Sequence, residues 1–401
     1  MTQDAIDELL AVLRPRYARA SKAQKGLMLD EFCANAGYHR KAATRALRRK
    51  PRSVPTARHA GRPPKYSRAV LLPVLIKAWE ASGYICGKRL APFMDEMLSS
   101  LIRHGEVRDD IAVRTALGSM SAATIDRWLR PVKQMRRRQP HVRNSPVASL
   151  AHKVATHTFA DLRGQPLGHL EVDLVLHCGM TTEGFYLTTL VGVDIVTGWC
   201  ECVAVWGKGQ ERVGGALAHL RRRLPFPLQG IHSDNGSEFI NQRMYDFCRR
   251  EGIAFSHSRP YRKNDQPRVE QRNGSLVRQL IGTDRFTSHA AHDQLNRIYE
   301  LLHLHANFFQ PIRKLTGYER KGDHVHKRYD EARTPFQRLM AALPTQEAQG
   351  DLQSQYESCN PLKLQRSIEK EVSKLWSLAA VDPLSEEAIL AREGAAAKSP
   401  R

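Results

Sequence analysis

The chain has 401 residues, 41% of them hydrophobic, and its 62 Lys and Arg against 41 Asp and Glu give a formal net charge of +21. Such a length allows about two to four domains. Such a charge indicates a polyanionic partner, most often nucleic acid, with a basic membrane-binding protein as the competing interpretation. The longest apolar run, residues 69–76, is too short to span a bilayer, and the acidic N-terminus lacks a signal-peptide pattern.

The seven cysteines are scattered along the chain without any Cys-x-x-Cys pair. Neither a zinc ribbon nor a disulfide framework is therefore indicated. We expect a protein of the reducing cytoplasm, associated with the nucleoid.

The positive charge is concentrated in the first third of the chain. Residues 1–150 carry 29 Lys and Arg against 12 Asp and Glu, a net charge of +17, whereas residues 151–230 carry seven of each kind. We interpret residues 1–60 as a helix-turn-helix DNA-binding domain and residues 61–130 as a second helical domain of similar kind. A basic linker rich in Pro, Asn and Ser is expected over 131–160.

Residues 23–49 predict two helices joined at Gly37, the second of them strongly basic. This order is typical of a helix-turn-helix, with an αα-hairpin that has a solvated basic face as the alternative. The expected DNA contacts on the second helix are Arg40, Lys41, Arg45 and Arg48. In the following segment GRPPK, residues 61–65, Arg62 could enter an A·T-rich minor groove, although a plain linker fits at least as well.

A second helix-turn-helix candidate lies at residues 114–130. The pattern predicts a helix, a turn over 118–121 and a second helix capped by Ser121. We expect Ile125 and Trp128 to pack inward. The outward side is expected to contact DNA through Thr124, Arg127 and Arg130.

Residues 161–310 predict an α/β domain. Residues 169–178 alternate in hydrophobicity as a buried strand does, and residues 185–206 predict two more strands around a turn. The order of elements is β-β-β-α-β-α-β-α, which gives a mixed five-stranded sheet that begins as an antiparallel meander and continues as β/α units.

Three acids of this domain are expected to point toward one region. Asp173 lies in the middle of a strand, where an acid is costly unless it is paired or binds metal. Asp234 ends a strand, and ligands of α/β sheets gather outside the carboxyl ends of strands, although a structural turn residue is the alternative. Glu270 shares helical spacing with Val277 and Ile281, so we expect it on the inward face of a helix.

The pattern D…D-N-G-x-x-F…E-x-x-N, with 35 residues between the last two acids, resembles the DDE core of retroviral integrases and bacterial insertion-sequence transposases. The matching positions are Asp173, Asp234, Asn235, Gly236, Phe239, Glu270 and Asn273. Segments such as GKRLAPFM and HANFFQPIRKL extend the resemblance over most of residues 20–340. The helix-turn-helix candidates stand where retroviral integrases have a His/Cys zinc module, which favours the transposase side.

The resemblance implies a multidomain protein with α-helical N-terminal helix-turn-helix domains, an α/β RNase H-like catalytic core and a small C-terminal region. It also implies an enzyme that binds element ends, frees a 3′-hydroxyl and joins that end to target DNA. Double-stranded DNA is then the expected partner, with a homo-oligomer in a synaptic complex and no membrane association.

The residue types account for such chemistry by themselves. Phosphodiester cleavage and transfer need an activated oxygen and a stabilised leaving oxygen, which two divalent ions about 3.5–4 Å apart can supply. Carboxylates prefer hard cations, so Mg²⁺ or Mn²⁺ fits better than Zn²⁺. Asp173 is expected to bridge two ions, with Asp234 and Glu270 holding one each. The expected substrate-positioning residues are Asn235, Arg272 and Asn273.

Several other residues have to be weighed against the triad. Glu171 shares a strand face with Asp173 and is considered as a further ligand or as support for the site. Asp194 is expected to be a turn residue. The pairs His303/His305 and His324/His326 have the spacing of metal ligands but no third ligand nearby, so we do not expect them to bind metal.

Residues 311–401 are expected to contain a basic arm or small β module, followed by an amphipathic helix over 360–376 that packs within the chain or between subunits. Two alternatives to a transposase stay open. One is an RNase H-like nuclease that cuts without joining, and the other is a DNA-binding regulator with an inactive core.

Overall fold

We describe the fold from a computed structural model. The described residues are 2–48, 66–135, 155–156, 164–234, 236–258, 266–321, 324–343, 346–381 and 383–398. The chain divides into two compact units, Met1–Lys65 and Tyr66–Arg401.

Over residues 2–48, the first unit forms the helices α1 Gln3–Arg19, α2 Lys22–Ala36 and α3 Arg40–Arg48. Ser21 and Gln24 form a capping box at the start of α2, and Gly37 ends it in the left-handed region at φ 69°. The predicted pair of helices around Gly37 is confirmed. The helices enclose a small core of Ile6, Leu10, Tyr17, Leu29, Phe32, Ala43 and Leu47.

The second unit begins with four helices: α4 Arg68–Ala81, α5 Gly87–Arg103, α6 Ile111–Gly118 and α7 Ala122–Met135. The Ser121 hydroxyl accepts a hydrogen bond of 3.2 Å from the Thr124 amide, which confirms the predicted cap of the last helix. Ile125 is fully buried and Trp128 is half-buried, also as expected. The helix α7 continues to Met135, past the expected start of the linker at residue 131.

A mixed sheet follows, and its strands are β1 Ala155–Thr156, β2 His169–Leu176, β3 Thr188–Asp194, β4 Cys200–Val205, β5 Gly230–Ser233 and β6 Ala254–His257. Their spatial order is β1-β6-β5-β2-β3-β4. The pairs β2–β3 and β3–β4 are antiparallel, whereas β2–β5, β5–β6 and β1–β6 are parallel. The predicted five strands are confirmed in order, with the two-residue β1 added at one edge.

Helices cover both faces of this sheet. The helices that follow β4 and β5 are α8 Gln210–Arg223 and α9 Gln242–Arg250. On β2, Leu170, Val172 and Leu174 belong to the core shared with α4, α5 and α8, whereas Val175 belongs to the core on the opposite face. The alternation of β2 therefore points Glu171 and Asp173 toward the second face, the side of the helices described next.

The second face is covered by a helix that changes type along its length. Its parts are α10 Pro267–Arg272, a π-helical segment Asn273–Arg278 and α11 Gln279–Ile281. The long helix α12 His289–Phe308 packs beside them, and Leu295, Ile298 and Tyr299 of this helix are fully buried in the second core.

The C-terminal elements are β7 Leu315–Lys321, β8 His324–Tyr329, α13 Pro335–Ala342, α14 Gln346–Ser358, α15 Pro361–Trp376 and α16 Glu386–Lys398. The sequence predicted either a basic arm or a small β module in this region, and the antiparallel pair β7–β8 is such a module. Asn360 caps α15 by accepting hydrogen bonds of 3.1 Å from the Leu362 and Lys363 amides. Ile368 and Val372 of α15 pack into the second core, so this helix packs within the chain. None of the helices in the described ranges is long and apolar enough to cross a membrane.

Candidate active site

Asp173 and Asp234 lie side by side on neighbouring parallel strands. The register of β2 and β5 pairs Val172 with Ser233, so the next residues along the two strands are the two acids. Adjacent strands are about 4.8 Å apart, which brings these carboxylates close together at the carboxyl end of β5. Both side chains are half-buried. The Leu174 amide donates 2.8 Å to Asp173 Oδ1, and the Gly236 amide donates 3.0 Å to Asp234 Oδ1.

The electrostatics of this pair are unfavourable. Burial, together with the charges of Asp234 and Glu270, raises the pKa of Asp173 to about 7, against the hydrogen bonds from Leu174 and Asn273. Burial also raises the pKa of Asp234. A cation among these oxygens would relieve the repulsion, and oxygen donors of this kind match a hard divalent ion. Within the described residues, however, no group of three or more His, Cys, Asp or Glu side chains is already arranged around a metal position.

Glu270 lies in the first turn of α10 and is exposed, so the expectation of an inward-facing Glu270 was wrong. Val277 and Ile281 are buried as predicted, but Gly274 is exposed with Glu270. The spacing argument assumed an uninterrupted α-helix, whereas the segment from Asn273 is π-helical and shifts the phase between Glu270 and Val277. Glu270 nevertheless lies near enough for its charge to raise the pKa of Asp173.

Asn273 joins the helix to the acid on the strand. Its Nδ2 donates a hydrogen bond of 2.6 Å to Asp173 Oδ2. Its Oδ1 is buried and has no hydrogen-bond partner among the described residues. Asn273 therefore orients a carboxylate of the triad, and the predicted contact of Asn273 with substrate stays a prediction.

Arg272 requires a correction, because its side chain lies in the interior. Its exposed fraction is 3%, its Nη2 donates 3.3 Å to the Gly198 carbonyl, and burial lowers its pKa. Two residues along an α-helix correspond to a rotation of about 200°, so Arg272 points away from the side on which Glu270 lies. This placement contradicts the expected role of Arg272 in substrate positioning.

Two of the predicted residues, Asn235 and Arg62, lie outside the described residues. One acid near the site was missed by the sequence reasoning. Glu238 is half-buried, and its pKa is raised by burial and by Asp234, against the effect of Lys208. Its position in the D-N-G-x-x-F pattern, four residues after Asp234, could have indicated that Glu238 lies near the site.

The residues that were weighed against the triad have other partners. Asp194 is a turn residue as expected, since its Oδ1 accepts hydrogen bonds from the Thr197 amide at 2.6 Å and the Thr197 hydroxyl at 2.7 Å. His303 Nδ1 lies 2.6 Å from Glu201 Oε1, and His305 Nε2 lies 2.8 Å from the Ala81 carbonyl. Both histidines therefore take part in packing contacts of α12.

The predicted DNA contacts lie on two helix surfaces. On α3 the side chains of four basic residues are exposed: Arg40, Lys41, Arg45 and Arg48. Arg40 also forms an ion pair with Asp30. On α7, Arg127 and Arg130 are exposed, and half-buried Thr124 accepts a hydrogen bond of 3.3 Å from Arg127 Nη2. These surfaces are accessible to a polyanion, and their contact with DNA stays a prediction.

Comparison with known proteins gives three results. Residues 163–263 match the integrase core domain family, a range that contains Asp173 and Asp234 and ends before Glu270. The uncharacterized protein y4rM of Sinorhizobium fredii (strain NBRC 101917 / NGR234) is 39% identical over 331 residues, which cover 82% of this chain and 94% of y4rM.

The third result concerns solved structures of retroviral integrases. The HTLV-2 integrase catalytic core domain in complex with magnesium matches with 19% identity and a TM-score of 0.29, over 37% of this chain and 93% of that one. The catalytic core domain of BIV integrase matches with 18% identity and a TM-score of 0.26, over 42% and 91%. Scores this low carry no argument, so the integrase-type core is assigned from the family match.

Proposed function

Because the chain belongs to the same family as the Sinorhizobium fredii protein y4rM and contains an integrase core domain, we propose that it is a DDE transposase. It binds the ends of an insertion-sequence element, cleaves the DNA to free a 3′-hydroxyl, and joins that end to target DNA. The observation that carries this proposal is the position of Asp173 and Asp234, which directly follow the paired residues Val172 and Ser233 of two neighbouring parallel strands, with Glu270 near enough for its charge to act on Asp173.

In this proposal Asp173, Asp234 and Glu270 would hold the two Mg²⁺ or Mn²⁺ ions. When bound, such ions activate the attacking oxygen, neutralise charge on the phosphate and stabilise the leaving oxygen. The chain prepares Asp173 for this role, since the Leu174 amide and the Asn273 side chain each bind one of its two oxygens. A carboxylate must be deprotonated before it can be a ligand, so Asp173 has to release its proton.

The basic helix surfaces complete the proposal. The exposed Arg and Lys side chains of α3 and α7 bind the duplex at the element ends, mainly through phosphates, which favour cations without regard to sequence. Joining two ends requires that both be held together, so we propose that the protein acts as a homo-oligomer in a synaptic complex.

The experiment that tests this function uses the full-length protein and the DNA that flanks its coding region. We expect inverted repeats on both sides. A labelled duplex with such a repeat should be bound in preference to a scrambled duplex, cut when Mg²⁺ or Mn²⁺ is present, and joined to a second duplex. Cutting without joining would indicate an RNase H-like nuclease. Preferential binding without cutting would indicate a regulator with an inactive core, and either result would contradict the transposase proposal.

A further inference from the structure

Glu171 lies two residues before Asp173 on the same face of β2, but its carboxylate has a different set of partners. Its side chain is fully buried. Oε2 accepts hydrogen bonds from the backbone amides of Arg268 at 2.9 Å and Val269 at 3.0 Å, and Oε1 accepts one of 2.5 Å from Arg268 Nη1. Unlike Asp173, Glu171 is already paired with a cation, the Arg268 guanidinium, and it also accepts from two amides, so we do not assign it as a metal ligand.

These contacts supply the N-terminal cap of α10, the helix that carries Glu270. The first amides of a helix have no partner within the helix and need an acceptor from elsewhere. The residue before α10, Gln266, makes no side-chain cap, and Pro267 at the first position has no amide hydrogen. The carboxylate of Glu171 takes the place of the missing local cap, and a negative charge at this end of a helix is favourable.

The same strand holds the same helix at a second point. One turn after the amides bound by Glu171, Asn273 donates to Asp173 Oδ2. Residues two apart on a strand are separated by about 6.6–6.8 Å, and residues four apart on a helix by about 6 Å. The pair Glu171–Asp173 therefore matches the pair Val269–Asn273 in length, and Glu270 lies between the two points of attachment.

We propose that Glu171, with Arg268, is a positioning residue for Glu270. By capping α10 from β2, it fixes where Glu270 stands relative to Asp173, and so sets how tightly the triad binds a divalent ion. This inference rests on the proposed function, since it assigns Glu270 to the ion site. It adds a residue that neither ligates nor touches DNA and acts through the helix alone.

The test compares Glu171→Gln with a matched control, Glu201→Gln. Glutamine keeps the shape of the side chain but replaces one accepting oxygen with an amide group that cannot accept. Glu201 is an equally buried acid on β4, where it contacts Trp199 and His303 at 2.8 and 2.6 Å and pairs with Arg223. Both substitutions disturb a buried carboxylate network, but only Glu171 accepts hydrogen bonds from the first amides of α10.

The first measurement is amide hydrogen exchange of the full-length protein without metal. In Glu171→Gln the amides from Arg268 to Asn273 should exchange about tenfold faster than in the wild type, because the one remaining acceptor oxygen is uncharged and cannot serve both the two amides and Arg268, so the cap of the helix is weakened. Glu201→Gln should leave this segment unchanged. Wild-type exchange of this segment in Glu171→Gln would show that Glu171 does not hold α10, and would overturn the inference at its first step.

The second measurement is Mg²⁺ and Mn²⁺ binding by calorimetry, followed by cleavage of the labelled duplex as a function of each ion. Loss of a residue that supports a ligand typically costs about 10–100-fold in metal affinity or activity. Glu171→Gln should therefore need at least about tenfold more Mg²⁺. The change for Mn²⁺ should be smaller, because Mg²⁺ demands the more regular coordination geometry. Glu201→Gln should bind both ions as the wild type does.

The two measurements separate the inference from the proposed function. If the wild type binds Mg²⁺ but cuts no DNA, the transposase proposal fails, and a weaker Mg²⁺ affinity in Glu171→Gln alone still supports the positioning role. If Glu171→Gln exchanges faster but binds Mg²⁺ like the wild type, the positioning role is overturned. Should Glu171→Gln fail to fold, Arg268→Gln replaces it, because this change keeps the two backbone hydrogen bonds. A smaller shift in the same direction is then expected, and no shift overturns the inference.

Discussion

Asn273 Nδ2 donates a hydrogen bond of 2.6 Å to Asp173 Oδ2 and so connects the helix of Glu270 with the strand of the first acid. This contact fixes the orientation of the Asp173 carboxylate through its Oδ2 atom before any ion is present. It also explains why a neutral amide, one turn after Glu270, belongs to the same site as three acids.

The first prediction follows from this contact. Asn273→Ala should lower the rate of DNA cleavage about tenfold, the factor expected when a buried charged acceptor loses a donor, while binding of the full-length protein to duplex DNA stays unchanged. Asn296→Ala is the matched control, since the Asn296 side chain also binds a strand by accepting 3.0 Å from the Ala204 amide, away from the acids. Equal cleavage rates in the two variants would remove Asn273 from the active site.

The second prediction concerns the acids themselves. Asp173→Asn, Asp234→Asn and Glu270→Gln should each abolish cleavage and joining, because each removes a ligand, while duplex binding measured by anisotropy persists. Asp351→Asn, a neutralised acid exposed on α14, should behave as the wild type does. Strand transfer at the wild-type rate by any of the three would exclude that residue from the triad.

The third prediction concerns stability and pH. The pKa of Asp173 is about 7 in the folded protein against an ordinary value of 3.8. The folded state therefore retains a proton that the unfolded state releases, so the contribution of Asp173 to stability falls as pH rises from about 4 to 7 and stays low above that. Asp173→Asn removes this cost and should raise the melting temperature more at pH 8 than at pH 5. Each kcal/mol corresponds to roughly 2–4 °C in domains of 150–250 residues.

The control for this effect uses the ion. Mg²⁺ at pH 8 should raise the melting temperature of the wild type, because a cation relieves the same repulsion, and should have less effect on Asp173→Asn. A variant that is less stable than the wild type at pH 8 would contradict the view that Asp173 is held at a cost in folding energy.

The fourth prediction concerns the basic helices. Arg45→Ala or Arg127→Ala should weaken duplex binding and lower the slope of log affinity against log salt by about 0.9 if the lost contact is to a phosphate. A contact to a base should instead reduce the preference for element ends over random DNA. Lys363→Ala removes one exposed positive charge from α15 and should change neither quantity. Identical salt slopes together with an unchanged preference for element ends in all three variants would move DNA binding away from α3 and α7.

Much of the architecture could be predicted from the sequence because its signals are local. The strand that carries Asp173 alternates with a period of two, and the strand that ends at Asp234 is followed by a turn. The helix caps at Ser121 and Asn360 join residues two or three positions apart, so they could be predicted from the local sequence. Asp173 and Asp234 could be selected because an acid in a strand or at its carboxyl end has few structural reasons to be there, whereas Glu270 was selected from helical spacing and from the 35 residues that separate it from Asp234.

Only the tertiary structure decided how the helix of Glu270 is placed. The π-helical segment after Arg272 buries Asn273, Leu276 and Val277, and it changed which side chains face inward, so Glu270 is exposed and Arg272 is buried. The partner of Glu171 is 97 residues away in the chain, a separation over which no periodicity carries information. Local patterns determine which residues can form a strand, a turn or a cap, whereas the direction of a polar side chain is set by the partners that the fold brings to it.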